Sequence, residues 1–173
     1  MTADGNRRFD TGPGQPHRLG SIATGEGVDF AVFSAHATAI DLCLFSPDGK
    51  RELARLPMRY REGDIWHLRV AGVRTDAAYG FRAYGPYAPE VGHRFNPNKL
   101  LIDPYARRFS GDVRWSDVLM GYKVGAARAD LSFDARDSAF AVPKSLVTKP
   151  LATLTDALHT PWRDTRNRSS MKL

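Results

Sequence analysis

Apolar residues recur at every second position through the middle of the chain. In VDFAVFS (28–34) Val28, Phe30 and Val32 share one face, and in AIDLCLF (39–45) Ile40, Leu42 and Leu44 do the same. DIWHLRV (64–70) alternates Trp66, Leu68 and Val70 with Ile65, His67 and Arg69. AAYGFRAY (77–84) sets Tyr79, Phe81 and Ala83 against Arg82 and Tyr84. A period of two sends successive side chains to opposite faces of an extended strand, so each segment is predicted to bury one face and solvate the other. The joints carry turn chemistry: SPDGK (46–50) is a Pro-Asp-Gly hairpin signal, and GEG (25–27) and REGD (61–64) precede the first and third strands. Short strands at hairpin spacing, with no helical period between them, predict an all-β, immunoglobulin-like antiparallel β-sandwich with a long irregular C-terminal extension.

The alternation stops after Tyr84. GPYAPEVGHRFNPNK (85–99) contains three prolines, each fixing φ and removing a backbone donor, so this stretch is predicted to leave the sheet and run over the surface. The resulting division is a flexible lead-in over 1–17, a sandwich module over 18–110, an irregular connector over 111–165 and a divergent tail over 166–173. Trp115, Tyr122, Phe133 and Phe140 are expected to anchor the connector on the sandwich or on a neighbour. The inward phase of Trp66 predicts core packing.

Composition narrows the chemistry. The 173 residues suffice for one sandwich domain, whereas a (β/α)8 barrel needs about 250. The formal net charge of +6 comes from scattered Arg rather than a basic block, which ranks nucleic acid last among partners. The single cysteine, Cys43, excludes an internal disulfide and a Cys-based zinc site. No signal-peptide core or run of about 18 apolar residues appears, so a cytoplasmic protein without membrane contact is expected. His93 has no second ligand at metal spacing, and His17, His36, His67 and His159 are isolated along the chain; neither metal nor cofactor is expected. Asp29, Asp41 and Asp64 lie in or beside strands, where a carboxylate is expected to face water. Asp103, just before Pro104, is placed to cap a turn, and Arg94 and Arg107 are expected to pair with it or to anchor the connector.

Ordered motifs then add a resemblance. GHRFNPNKLLIDPYAR (92–107) closely resembles a signature of bacterial glycogen debranching enzymes, the isoamylase-type branch of the α-amylase superfamily. LGSIATGEGVDFAVFSAHATAIDLCLF (19–45), GDIWHLRV (63–70), YGFRAYGPY (79–87), VPKS (142–145) and TPWRDT (160–165) match it in order. The resemblance implies an N-terminal β-sandwich of carbohydrate-binding family forty-eight type, which in that family precedes a catalytic (β/α)8 barrel. TPWRDT looks like the lead into that barrel. TKPLATLTDALH (148–159) and the closing RNRSSMKL (166–173) depart from the family pattern and read as shifts of reading frame in a truncated fragment.

The expected function is therefore that of a non-catalytic N-terminal module of a glycogen debranching enzyme. It would brace, or aid the substrate binding of, a barrel that hydrolyses α-1,6 branches with two carboxylates about 5–5.5 Å apart. No catalytic residue is assigned, and the chain alone is expected to be inactive. For a weakly bound α-glucan, Tyr84 and Tyr87 are the candidate stacking platforms, with His93, Asn96, Asn98 and Lys99 as candidate hydrogen-bonding groups. Leu100, Leu101, Ile102, Tyr105 and Phe109 are the candidate contacts to the barrel, the second expected partner. The alternatives are a free-standing glucan-binding module acting in trans and a basic nucleic-acid-binding domain.

Overall fold

The computed structural model describes residues 9–149; the start of the lead-in, the TPWRDT island and the divergent tail lie outside the described residues. The chain forms β1 (Thr11–Gly12), β2 (Gly20–Ala23), β3 (Gly27–Phe33), β4 (Ala39–Phe45), β5 (Glu52–Pro57), β6 (Tyr60–Glu62), β7 (Ile65–Ala71), β8 (Ala78–Tyr84), β9 (Tyr87–Ala88), β10 (His93–Arg94), β11 (Phe109–Ser110) and β12 (Lys144–Leu146). One antiparallel sheet runs β2–β3–β7, with β1 and β6 both pairing the far edge of β7. The facing sheet runs β5–β4–β8–β12–β11, and β9 and β10 form a small separate ladder. Helical structure among the described residues is limited to three 3-10 turns, Pro89–Val91, Asp117–Leu119 and Ala129–Leu131. None of it is long and apolar enough to cross a membrane.

The predicted inward residues build the core. Val28, Phe30 and Val32 of β3 and Trp66, Leu68 and Val70 of β7 meet Ile40, Leu42 and Leu44 of β4 and Tyr79, Phe81 and Ala83 of β8. Each such side chain contributes about 1.5–3 kcal/mol on burial. Trp66 sits in this core, with its indole N–H donating to the Ser34 carbonyl at 3.1 Å. The 46–50 hairpin forms as its sequence predicts: Gly49 takes φ +70° and its N–H donates to the Ser46 carbonyl at 2.8 Å. Gly27 is required by closeness rather than by φ, because a Cβ there would stand 2.2 Å from the Val70 carbonyl oxygen across the ladder.

The solvated outer faces predicted for the strands need correction. Cys43, Phe45 and Ala78 on the outer face of the second sheet pack with Leu100 and Leu146 in a second apolar cluster. Arg82, also on that face, is buried; its guanidinium donates to both Asp137 carboxylate oxygens and to the Pro97 carbonyl. On the other sheet Asp29 is buried beside the Arg69 guanidinium, which bonds both its oxygens at 2.7 and 3.0 Å. His67 is likewise buried, its ring stacked on Tyr60.

The cover is the chain between β8 and β12, a connector that starts after Tyr84 rather than at residue 111. Leu101 exchanges two 2.8 Å backbone hydrogen bonds with Phe81, and β12 pairs with the start of β8. The second sheet therefore extends past residue 110, where β11 ends, to β12 at Lys144–Leu146. The lead-in is also partly ordered into the fold, since Phe9 packs on the core and Thr11–Gly12 pair with β7.

Candidate functional site

At one end of the sandwich β3 and β8 finish and β4 begins, and the segments 92–104 and 119–122 rise beside these strand ends. Between them lies a cleft of about 710 Å³, lined mostly by apolar groups. Phe33, Leu101, Ile102 and Met120 stand around it, 58, 45, 43 and 38 % exposed. Side chains this large are normally covered, and contiguous exposure of several is a mark of an interaction surface.

Members of both groups of residues singled out from the sequence meet here. Tyr87, His93, Asn96, Lys99, Leu101 and Ile102 all line the cleft, whereas Tyr84, Asn98, Leu100, Tyr105 and Phe109 do not. Tyr84 lies on the outer face of β8, its hydroxyl donating to Asp41 at 2.8 Å. Tyr105 and Phe109 are exposed on the connector beyond the cleft. Leu100 is a correction: it is 4 % exposed and belongs to the outer-face cluster, so it supports the fold and offers no contact surface. Gly80 permits that position, since a Cβ there would meet Leu100 Cδ1 at 2.9 Å.

Most polar members are already engaged. Asn96 is buried, its amide donating to the Gly121 and Asp134 carbonyls while its oxygen accepts from the Asn98 N–H and side-chain amide. Lys99 is buried too, and its ammonium donates to the Val118 and Arg136 carbonyls at 2.9 Å and lies 3.4 Å from Asp134. These groups stitch an irregular segment whose carbonyls have no ladder partners, which is the usual task of buried polar side chains. Tyr87 is half-buried, its hydroxyl 2.8 Å from the Asp130 carbonyl and its ring edge-on to Phe133.

His36 and His93, far apart in sequence, meet edge-to-face at 4.8 Å on the cleft wall, so neither is isolated in space. Arg94 pairs with Asp130 at 2.7 Å, not with Asp103, and Arg107 reaches Thr148 and the Lys149 carbonyl. Asp103 does cap its turn, accepting the Tyr105 N–H at 2.8 Å. Burial pushes its carboxyl above the ordinary value, partly opposed by hydrogen bonds from the Tyr79 hydroxyl and the Tyr105 N–H. Asp134 goes the other way, held well below the carboxylate range by hydrogen bonding from Arg136. The buried carboxylates of Asp29, Asp103 and Asp134 are thus engaged with Arg69, Tyr79 and Arg136.

Two aromatics expected to anchor the connector do not pack on the sandwich. Trp115 is 84 % exposed and Phe140 is 62 % exposed. Sequence marks them only as aromatic, and aromatic residues are buried often enough to mislead.

Residues 18–106 match the family carbohydrate-binding module 48 (isoamylase N-terminal domain). The glycogen debranching enzymes of Salmonella paratyphi B and Salmonella typhimurium are 42 % identical to the chain over 156 residues, covering 89 % of it and 22 % of each relative. The chain thus spans about a fifth of the length of these curated relatives. The product complex of the multi-modular glycogen-degrading pneumococcal virulence factor SpuA shares the fold. It aligns with a TM-score of 0.50 at 15 % identity, over 77 % of this chain and 12 % of that one.

Proposed function

Because this chain belongs to the carbohydrate-binding module 48 (isoamylase N-terminal domain) family, we propose that it is the non-catalytic bracing module of an enzyme that hydrolyses α-1,6 branches of glycogen-like glucans. The glucan class and the reaction rest on the relatives' name, glycogen debranching enzyme, and on the motif resemblance. The observation that carries the bracing role is the uncovered cleft. Phe33, Leu101, Ile102 and Met120 are presented by strand ends and a hydrogen-bonded connector, so they form a preset surface rather than a mobile one. Covering a side chain of this size contributes up to about 1.5–3 kcal/mol, enough for a few to hold a neighbouring domain in place. The partner read for this surface is the catalytic barrel, with Leu101 and Ile102 as its central contacts.

A chimera tests the reading: residues 9–149 replace the matched segment of the Salmonella enzyme, with and without Leu101→Glu and Ile102→Glu. The double substitution is expected to lower the melting temperature and debranching activity of the chimera while leaving the melting of the isolated module nearly unchanged. A chimera indifferent to the substitutions, or one whose barrel fails to fold on this module, would contradict it.

A further inference from the structure

A second surface lies apart from the cleft and shares no lining residue with it. The tip of the 46–50 hairpin, the segment 110–114 and the segment 140–144 enclose a groove of about 340 Å³. Its volume falls at the small end of the ~300–1,000 Å³ range of small-molecule sites. The frame is firm. The Arg114 N–H donates to the Ala141 carbonyl at 3.0 Å, and the Lys144 ammonium donates to the Ala139 and Val142 carbonyls at 2.5 Å each. Phe140 lines the groove with its ring mostly in solvent, and Trp115, the residue after Arg114, is the most exposed of the large apolar side chains among the described residues. Around Phe140 stand acceptors on Asp48 and Asp112 and donors on Lys50 and Arg114.

From this arrangement we propose that the groove, with Phe140 as platform and Trp115 beside it, binds a segment of α-glucan. The glucan class rests on the functional reading above; the location does not depend on the cleft. An exposed ring supplies a flat apolar face for the C–H side of a pyranose, and groups of both charges around it supply partners for hydroxyls. A protein partner fits this surface poorly, because the centres of protein interfaces are depleted in Lys and Asp. A chain docked through its cleft would leave this groove open, so the module would hold a glucan strand while bracing its neighbour.

Co-sedimentation with glycogen, at low and high salt, tests the site on the chain as it stands. The unsubstituted protein is expected to sediment with glycogen at both salt levels. Phe140→Ala and Trp115→Ala are each expected to weaken binding roughly fivefold or more, with Phe140→Trp retaining it. All three variants should melt as the parent does, since both side chains are exposed. Leu101→Glu with Ile102→Glu should bind glycogen normally, which separates failure of the groove from failure of the bracing role. Binding unaffected by either alanine overturns the groove while leaving the glucan partner standing. No co-sedimentation of the parent overturns both.

Discussion

The Tyr79 hydroxyl donates a 2.6 Å hydrogen bond to Asp103 Oδ2. It reaches from the centre of the sandwich to the connector and pins the turn that follows Leu101 and Ile102 of the cleft wall. The other Asp103 oxygen accepts the Tyr105 N–H, and the Asp103 N–H donates to Ser145 Oγ in β12. Tyr79→Phe leaves a buried carboxyl short of one partner and is expected to cost about 1–3 kcal/mol in urea unfolding.

The same carboxyl sets a pH dependence of unusual sign. Burial holds its folded-state pKa above the ordinary 3.8, so the folded protein keeps this proton more tightly than the unfolded chain. Its stabilising contribution is full below that ordinary value and is lost as pH rises through the folded value. Asp134 and Asp117, lowered by hydrogen bonds from Arg136, act oppositely: their contribution is present above the ordinary carboxylate value and lost as pH falls. Unfolding free energies measured from neutral pH downwards should therefore fall more steeply on acidification in Asp103→Asn than in the parent. Parallel pH profiles would show that Asp103 does not titrate as a buried group.

Neighbouring leucines should respond in contrasting ways. Leu100 is enclosed by Cys43, Phe45, Ala78 and Leu146, so Leu100→Ala opens a cavity and should cost about 2–5 kcal/mol. Leu101 pairs with Phe81 through its backbone alone and turns its side chain to the cleft, so Leu101→Ala should stay within about 0.5 kcal/mol. Chemical denaturation of the two variants resolves the difference.

Lys99 behaves as a structural cation. Lys99→Met strips the Val118 and Arg136 carbonyls of their donor and leaves Asp134 with Arg136 as its remaining cationic partner. A loss of about 3 kcal/mol is expected, with glycogen co-sedimentation unchanged below the melting temperature.

At Gly27 the neighbour that an added Cβ would strike is backbone of a paired strand, which cannot yield without breaking the ladder. Gly27→Ala should lower stability by about 1–3 kcal/mol or more, read as a reduced denaturation midpoint.

Local period made the four central strands legible, because Val28, Phe30 and Val32 and their counterparts repeat at the spacing that one-sided burial demands. Edge strands such as β5 escaped, since only Ala54 and Leu56 turn toward the core on a short, half-exposed ribbon. The buried outer face left a trace in Cys43 and Phe45, apolar residues on the supposedly wet side. Their cover comes from Leu100 and Leu146, which no local pattern joins to β4.

The cleft was half legible. Leu101 and Ile102 announced themselves as an apolar run in a polar connector. Asn96 and Lys99 read as exposed because they are polar, yet an irregular segment buries such groups to satisfy its own carbonyls. The meeting of His36 with His93 is purely tertiary and carries no sequence signal.

Amide hydrogen exchange tests the bracing surface most directly, comparing the isolated chain with the chimera that carries the Salmonella barrel. Added protection is expected in the segments 32–36, 92–95, 101–104 and 119–122, with 110–115 and 140–144 exchanging as before. Protection confined to β5, or to the Trp115 and Phe140 face, with the cleft segments unchanged, would contradict it.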